Sequence, residues 1–501
     1  MRTSDGLANR INATAGVAVF SVFALVAIVV YWPILNNTLI GDDYFYTVKV
    51  GELSFSGLGH LFDIHPSFVR PLPTLVFWLQ FKLFGVAALP SHLINVIIHA
   101  ANAFLLFCLL VRLGISRNAS LLCGFLFLIT PVAVEPVTWS SGRFDLMSTF
   151  FVLLASVLYL ASVQNRSTAA FAGAIAAAFS AMFSKESAMA LVLVFPAIEL
   201  IYGILGEAGN SGDTGARRGR WRRSGIRLVI FYSMFAGYIA LRYAILGRLG
   251  GYRDVPFIAV PDLLASTRTI WTFLSPVSSQ LASRQLLLIL AGIFLMLLTM
   301  SQVLVLIRWK QASAAARKAW LFLVVMTAAT IVPVNTQLFS FGIGSNLRDS
   351  RELYIVSMLA IAIMVIGLFE FGWRKKEWRV MATISVLLLV PLWSWGVVKN
   401  NSLWEESAAV SSAILEGTQE LLPEPPPDSR LYYLNVPEWD GAYVFVTALK
   451  YAVASQYGRK DLQVVQIRRE DVDFDINDTA DGYLLVYDRE QTRIVLIHGP
   501  L

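Results

Sequence analysis

Two adjacent carboxylates, Asp42 and Asp43, stand where the first long apolar run of the chain ends and a polar loop begins. A carboxylate at a boundary between water and lipid can act as a general base and deprotonate an acceptor hydroxyl. Adjacent residues on an extended segment point in opposite directions, so one carboxylate can face a cavity while the other holds the loop. A solvated turn is the alternative, because Gly41–Asp42 is typical turn chemistry. The aromatic Tyr44 follows directly and could support the pair.

Basic residues that could bind an anion recur in three later segments. Arg70 precedes a proline, which favours an extended backbone, and such a fixed guanidinium can grip a phosphate or anchor the chain at the headgroups. Lys185 lies beside Glu186 between two apolar runs, and it either pairs with neighbouring groups or binds an anion. Arg348 and Arg351 are three residues apart, which predicts one helical face at a helix start, where anions are favoured. Surface ion pairing is the alternative for these two arginines.

The stretch PVAVEPVTWSSGRFDLM (131–147) carries another carboxylate and guanidinium between two apolar runs. Glu135 and Arg143 are close enough in sequence to form a structural salt bridge, and anion binding by Arg143 is the alternative. Trp139 is a side chain typical of membrane interfaces. Gly142 allows close packing of the backbone at this point.

The composition indicates a membrane protein. Hydrophobic residues make up 56% of the 501 positions and charged residues 15%, whereas a typical soluble protein carries about 25% charge. The apolar residues come in runs of roughly 18–25, the length at which a helix spans a bilayer. We therefore predict an all-α polytopic membrane protein with about eleven transmembrane helices. Their approximate centres lie at residues 25, 101, 125, 153, 176, 196, 238, 296, 328, 362 and 389.

Basic residues set the predicted orientation in the membrane. The clusters RRGRWRR (217–223) and WRKKEWR (373–379) assign their loops to the cytoplasm, since such loops are enriched in Lys and Arg. The N-terminus is then cytoplasmic, and an odd number of helices puts the C-terminus outside a cell inner (plasma) membrane. The same bias accounts for the net charge of +6, so the lipid bilayer is the expected partner and nucleic acid is not.

The chain divides into three predicted parts, which are a transmembrane catalytic domain (1–400), a linker (401–425) and a small α/β domain outside the membrane (426–501). Residues 37–91 form the first outer loop, in which the short run 70–86 is expected to lie along the interface. The linker follows from LLPEPPPDSR (421–430), whose prolines exclude a helix. Beyond it, RLYYLNV, LQVVQI, GYLLVYD and TRIVLIHG have strand character, and 441–458 has helical spacing.

No metal or cofactor motif is evident in the sequence. His92 and His99 are seven residues apart on one apolar helix face, which fits helix packing better than metal binding. The acidic stretch 469–482 lacks the spacing of a calcium loop. No cofactor is predicted, and a requirement for a divalent metal stays open. Cys108 and Cys123 lie in apolar helices and are expected to be buried and unpaired.

Taken in order, these segments resemble the type C glycosyltransferases over roughly residues 15–400. The similarity rests on the Asp-Asp pair, RPL (70–72), HLINVIIHAANAFLLFCLL (92–110), PVAVEPVTWSSGRFDL (131–146), SKESA (184–188) and RELYIVS (351–357). Within that superfamily the chain is most similar to bacterial O-mannosyltransferase-like proteins. It is more distantly similar to protein O-mannosyltransferases and the lipid A aminoarabinose transferase. It lacks the tetratricopeptide repeats of many relatives, and it has Asp-Asp where many have an acid followed by Glu.

The resemblance implies a transferase that takes a sugar from a polyprenyl-phosphate donor, such as undecaprenyl phosphate, by a direct inverting displacement. The acceptor would be an extracytoplasmic glycan, lipid or protein. In such enzymes the first-loop acid serves as base or positions the acceptor, which implies Asp42 or Asp43, with Asp42 favoured. The implied ligands of the lipid phosphate are Arg70, Lys185 and Arg351, followed by Arg143 and Arg348. Glu135, Glu186, Tyr44 and Trp139 would support them.

Two other functions remain open from the sequence. A transporter or flippase of lipid-linked oligosaccharides needs polar groups near the membrane midplane, and Asn95, His99 and Asn102 form the best candidate face. The clustering of charge at the outer helix ends argues against it. A polymerase or ligase of the O-antigen type also acts on undecaprenyl-linked substrates. The early Asp-Asp pair favours the transferase over that alternative.

Overall fold

The computed structural model describes residues 13–205, 214–248, 260–372, 376–438, 441–467 and 479–500. Its helices are α1 (Ala13–Val30), α2 (Pro71–Phe84), α3 (Ala88–Arg112), α4 (Arg117–Leu128), α5 (Val134–Thr138), α6 (Arg143–Asn165), α7 (Thr168–Met182), α8 (Leu191–Ile198), α9 (Thr214–Leu246), α10 (Leu263–Leu274), α11 (Arg284–Arg308), α12 (Ala314–Ile331), α13 (Tyr354–Ile366), α14 (Lys376–Leu421) and α15 (Leu449–Tyr457). The strands are β1 (Arg430–Leu434), β2 (Gln463–Ile467), β3 (Tyr483–Asp488) and β4 (Arg493–His498). The N-terminal segment, loop residues 373–375 and most of the acidic stretch 469–482 lie outside the described residues.

The predicted membrane helices are present. Across the described ranges, nine helices are long and apolar enough to cross a membrane, and the bent pair α4 and Pro131–Thr138 would make a tenth. The pair bends by 50° because Thr130, which precedes a proline, is extended at φ −70° and ψ 128°. The remaining predicted run, centred at residue 176, is α7, which is apolar but has only 15 residues. The chain is therefore a multi-pass membrane protein.

Burial separates the helices at the centre of the bundle from those at its edge. In α3, the Ser140–Asn165 span and the Ser350–Phe371 span, 67–78% of the most apolar window is buried inside the protein. The corresponding fraction for α1 and α9 is 17%. Helix α1 is apolar along its whole length, and α9 is apolar beyond its arginine-rich first half, so their exposed apolar faces are suited to lipid.

The polar residues of α3 are used for packing between helices. Asn95 donates to the Trp139 carbonyl at 2.9 Å, and Asn102 donates to the Leu146 carbonyl at 3.1 Å. A ring nitrogen of His99 lies 2.7 Å from the Tyr354 hydroxyl. These side chains are fully buried, so they do not line a path across the membrane. The helix-packing role expected for His99 is confirmed.

The segment predicted as a linker is mostly helical. Helix α14 runs without interruption over 46 residues to Leu421, so only the proline-rich residues after it match the prediction. Residues 401–421 stay helical because both domains pack on them. Trp404 belongs to the core of the membrane domain, and Ile414 belongs to the core of the C-terminal domain. Helix α14 thus connects the two domains rigidly.

The C-terminal domain is a four-stranded sheet of order β2-β1-β3-β4. Strand β1 is parallel to β2 and to β3, and β4 runs antiparallel to β3. All four strands were predicted. The expected helix at 441–458 is shorter, because α15 begins at Leu449 and the preceding residues contact the membrane domain. We call the end of the helix bundle that this domain contacts the outer end.

Gly142 packs against the backbone as the sequence suggested. A Cβ atom placed on Gly142 would lie 2.4 Å from the carbonyl oxygen of Pro136. We expect Gly142→Ala to destabilise the protein by about 1–3 kcal/mol, the usual cost of overpacking, and to lower the melting temperature in detergent. Gly292→Ala is the control, because a Cβ there has nothing within 4 Å. Equal melting temperatures for the two variants would contradict this prediction.

Candidate active site

The first outer loop is fixed through Asp43. This side chain is fully buried, and its carboxylate accepts hydrogen bonds from the Ser141 backbone N–H at 2.7 Å and the Ser141 hydroxyl at 2.6 Å. The Ile40 N–H donates to it at 3.4 Å. Burial raises the pKa of Asp43 to about 7, although the Ser141 bonds oppose the shift. Asp43 therefore holds the loop against the segment between α5 and α6.

Asp42 is available for chemistry. It is half-buried, and within the described residues its carboxylate accepts no hydrogen bond. Burial raises the pKa of Asp42 above its ordinary value, and the charge of Arg351 lowers it. The expected division of roles stays a prediction for Asp42, whereas Asp43 makes the hydrogen bonds that hold the loop. The expected extended backbone was wrong, because Gly41 turns the chain at φ +54° and Tyr46 N–H donates to the Asp42 carbonyl at 3.0 Å.

Arg351 joins two helix ends beside this loop. Its guanidinium lies 2.5 Å from the Glu135 carboxylate, and its backbone N–H donates to the same carboxylate at 2.9 Å. A second nitrogen lies 2.7 Å from Asp349. Arg351 and Arg348 do not share a helical face as predicted, because Asp349 between them adopts a left-handed conformation at φ +68°. The Arg348 side chain is 57% exposed, and its Nε lies 4.0 Å from the Asp349 carboxylate.

Lys185 is enclosed by two carboxylates. Its Nζ lies 2.6 Å from Asp145 and 2.8 Å from Glu352. Burial alone lowers the pKa of Lys185, but the two carboxylates outweigh it, so the net shift is upward and the amine stays charged. Of the two roles that the sequence left open, the described contacts support pairing with neighbouring groups.

Arg70 and Arg242 share one carboxylate. The Arg70 guanidinium donates twice to Glu186, at 2.6 and 3.0 Å, and Arg242 donates to the other oxygen of Glu186 at 2.7 Å. The sequence analysis missed Arg242, as it did the role of Asp145. The available signal was an arginine in the apolar second half of α9, since charge in a membrane helix is functional by default.

The contacts of Arg143 differ from the predicted ones. The expected salt bridge to Glu135 is absent, because Glu135 pairs with Arg351. Arg143 is completely buried and donates to Asn95, Gln80 and Ser91 at 3.0–3.1 Å. Its guanidinium lies over the Phe77 ring at 4.1 Å. These contacts favour a packing role for Arg143, although its Nη1 is buried without a hydrogen-bond partner among the described residues.

The predicted supporting aromatics are also buried. Trp139 does not face a lipid interface but is 6% exposed, with its ring 4.6 Å from that of Tyr443 and 5.2 Å from the Arg351 guanidinium carbon. The Tyr44 ring packs 6.3 Å from Phe445 of the C-terminal domain. Both side chains therefore fill the junction between the two domains.

In the part of the chain that the structure describes, no group of three or more His, Cys, Asp or Glu side chains is placed to hold a metal ion. The thiols of Cys108 and Cys123 are free, and Cys123 is buried.

The ion pairs described above form a row of four cations interleaved with carboxylates at the outer end of the bundle. The cations are Arg242, Arg70, Lys185 and Arg351.

The raised pKa of Asp43 predicts a pH-dependent effect of replacing it with Asn. Between pH 3.8 and about 7 the folded protein holds a proton that the unfolded chain releases, so this carboxyl contributes less stability as the pH rises through that window. Asn cannot ionise and keeps an acceptor for Ser141. The melting temperature of Asp43→Asn relative to wild type should therefore increase from pH 5 to pH 8. Exposed Asp63→Asn in the same loop is the control, and a difference that is constant with pH would contradict the prediction.

Sequence relatives match part of the chain. The protein O-mannosyl-transferase Tmtc1 of Drosophila melanogaster is 34% identical over 125 residues, which are 25% of this chain and 15% of that protein. The human protein O-mannosyl-transferase TMTC3 is 34% identical over 126 residues, 25% of this chain and 12% of its own length. The chain thus matches less than a sixth of these relatives. No protein-family model matches the sequence.

A solved structure matches nearly the whole chain. The crystal structure of ArnT from Cupriavidus metallidurans bound to undecaprenyl phosphate aligns with a TM-score of 0.52 at 13% identity. The alignment covers 96% of this chain and 94% of that one. At this identity the similarity concerns the fold, and it includes the C-terminal domain because nearly all residues align. The chain has the same fold as ArnT.

Proposed function

We propose that this protein is a membrane glycosyltransferase that moves a sugar from a polyprenyl-phosphate donor to an acceptor hydroxyl. The observation that carries the proposal is Asp42, a half-buried carboxylate without a hydrogen-bond partner in the described residues, beside the Arg351 cation at the outer end of the bundle. The relatives named as O-mannosyl-transferases support the reaction class. The undecaprenyl phosphate bound to ArnT supports the class of donor.

In the proposed reaction, Asp42 takes the proton of an acceptor hydroxyl. The acceptor oxygen forms a bond to the anomeric carbon while the bond from that carbon to the donor phosphate oxygen breaks. The lipid phosphate leaves with the electron pair, and a single displacement inverts the anomeric centre. The neighbouring cations stabilise the charge that develops on the phosphate. The acceptor is a glycan, lipid or protein on the extracytoplasmic side of an inner membrane.

Arg70 is the cation best placed to bind the donor phosphate. It is 16% exposed, and it lies at the start of α2, the helix expected to lie along the interface, where a lipid headgroup would arrive. Its bidentate contact with Glu186, which Arg242 also holds, fixes the guanidinium before the donor binds. Such preorganisation removes part of the entropic cost of binding. Arg351, which is 21% exposed, would contact the phosphate from the Asp42 side.

The reaction is tested with purified protein in nanodiscs and a panel of radiolabelled undecaprenyl-phosphate sugars. We expect consumption of one donor, and a loss of at least about 100-fold in Asp42→Asn, the lower range for removing a general base. Asp63→Asn, at an exposed position in the same loop, should retain activity. Full activity of Asp42→Asn would exclude it as the base. Failure to consume or bind any donor would favour a transporter.

The phosphate ligand is tested separately by binding of undecaprenyl phosphate. Arg70→Gln should weaken binding by about 10-fold or more, because a charge-assisted hydrogen bond contributes about 1.5–3 kcal/mol. Lys82→Gln, in the same helix α2, is the matched control, since its amine lies over the Trp78 ring and away from Glu186. Equal affinities of the two variants, measured by competition in nanodiscs, would remove Arg70 from the phosphate site.

A further inference from the structure

A segment of the C-terminal domain, residues 441–446, lies directly on the part of the first outer loop that carries Asp42. The Gly41 N–H, one residue before Asp42, donates to the Val444 carbonyl at 2.6 Å. A Cβ atom on Gly41 would lie 3.2 Å from the Cβ of Tyr443, so a larger residue at position 41 would crowd Tyr443. On its other side the segment is tied to α14, because Ala442 N–H donates to the Ser407 hydroxyl at 3.1 Å.

Tyr443 projects from this segment into the row of charges. Its side chain is buried, and its ring packs against Trp139 at 4.6 Å and Trp404 at 6.1 Å. Its hydroxyl accepts a hydrogen bond from the Arg351 guanidinium at 3.1 Å and donates to Asp349 at 3.5 Å. The hydroxyl is thus placed among charged groups that belong to the membrane domain.

The other contacts of Arg351 come from the membrane domain. They are with Glu135, Asp349 and, at 3.9 Å, Glu352. Tyr443 approaches from the side of Gly41 and Asp42, because its Cβ faces Gly41. Its hydroxyl therefore gives the guanidinium a partner from the C-terminal domain, besides the carboxylates that already pair with it.

We propose that Tyr443 is a positioning residue which holds Arg351 beside Asp42, so that the C-terminal domain forms part of the active site. The proposal rests on the glycosyltransferase function, since it assigns Tyr443 a role through the base of that reaction. It gives the C-terminal domain a role that neither its fold nor its sequence motifs suggested.

The expected consequence is a change in the titration of Asp42. The charged and titratable groups around Asp42 and Arg351 are Asp43, Glu135, Asp145, Lys185, Arg348, Asp349, Glu352 and Tyr443. Without the Tyr443 hydroxyl, Arg351 loses one of the contacts that fix its guanidinium and can move away from Asp42. The carboxylate form of Asp42 then loses a stabilising charge, and its pKa rises.

The test compares Tyr443→Phe, which keeps the ring and its contact with Trp139, with Tyr433→Phe. Tyr433 is a buried tyrosine of the same domain, and its hydroxyl lies 3.2 Å from that of Thr418, so it does not contact Arg351. Carbodiimide labels protonated carboxyls, so labelling of Asp42 in the full-length protein is quantified by mass spectrometry from pH 4 to pH 9. Transfer activity is measured over the same range.

We expect the labelling midpoint of Asp42 to move up by about 0.5–1 pH unit in Tyr443→Phe and to stay unchanged in Tyr433→Phe. The acid limb of kcat/KM should move with it, with activity recovering at pH 8. An unchanged midpoint, or an equal pH-independent loss of activity in both variants, would overturn the proposal. A shifted midpoint in a protein that transfers no sugar would support the positioning contact and refute the glycosyltransferase function.

Discussion

The ion pair between Arg351 and Glu135 is the contact on which the outer end of this protein depends. Glu135 lies in the short helix α5, after the bend in the chain, and Arg351 precedes helix α13. Removing one partner of a buried pair leaves an uncompensated charge and typically costs about 3–5 kcal/mol. The pair therefore ties two distant helix ends together, and the same guanidinium then meets Tyr443 of the C-terminal domain.

The other cations of the row at this end are also paired with carboxylates. Glu186 is held by two arginines, and Lys185 is held by two carboxylates. Burial near a membrane makes an isolated charge costly, so each cation has a fixed partner before any ligand binds. A phosphate would meet guanidinium groups that are already oriented, which is the arrangement that favours electrostatic stabilisation of a leaving group. Stability and the proposed chemistry thus use the same side chains.

The two domains are joined by a shared helix and a shared core. Helix α14 belongs to both cores, and the segment 441–446 contacts the loop that carries Asp42. Such a junction leaves little freedom for the C-terminal domain to move independently of the catalytic loop. The C-terminal domain is therefore in direct contact with the loop at the outer end of the bundle.

The sequence by itself determined the membrane helices and the four strands, and it singled out the Asp42–Asp43 pair as a candidate. Apolar runs of helical length and alternating short runs are local patterns, and local patterns are readable without a fold. The partners of the charged residues were decided by the tertiary structure. Glu186 pairs with Arg70 across 116 positions and Glu135 with Arg351 across 216, while the nearer Arg143 turns into the core. The helix at 401–421 was likewise decided by packing, because two hydrophobic cores stabilise a segment that its sequence alone left as a linker.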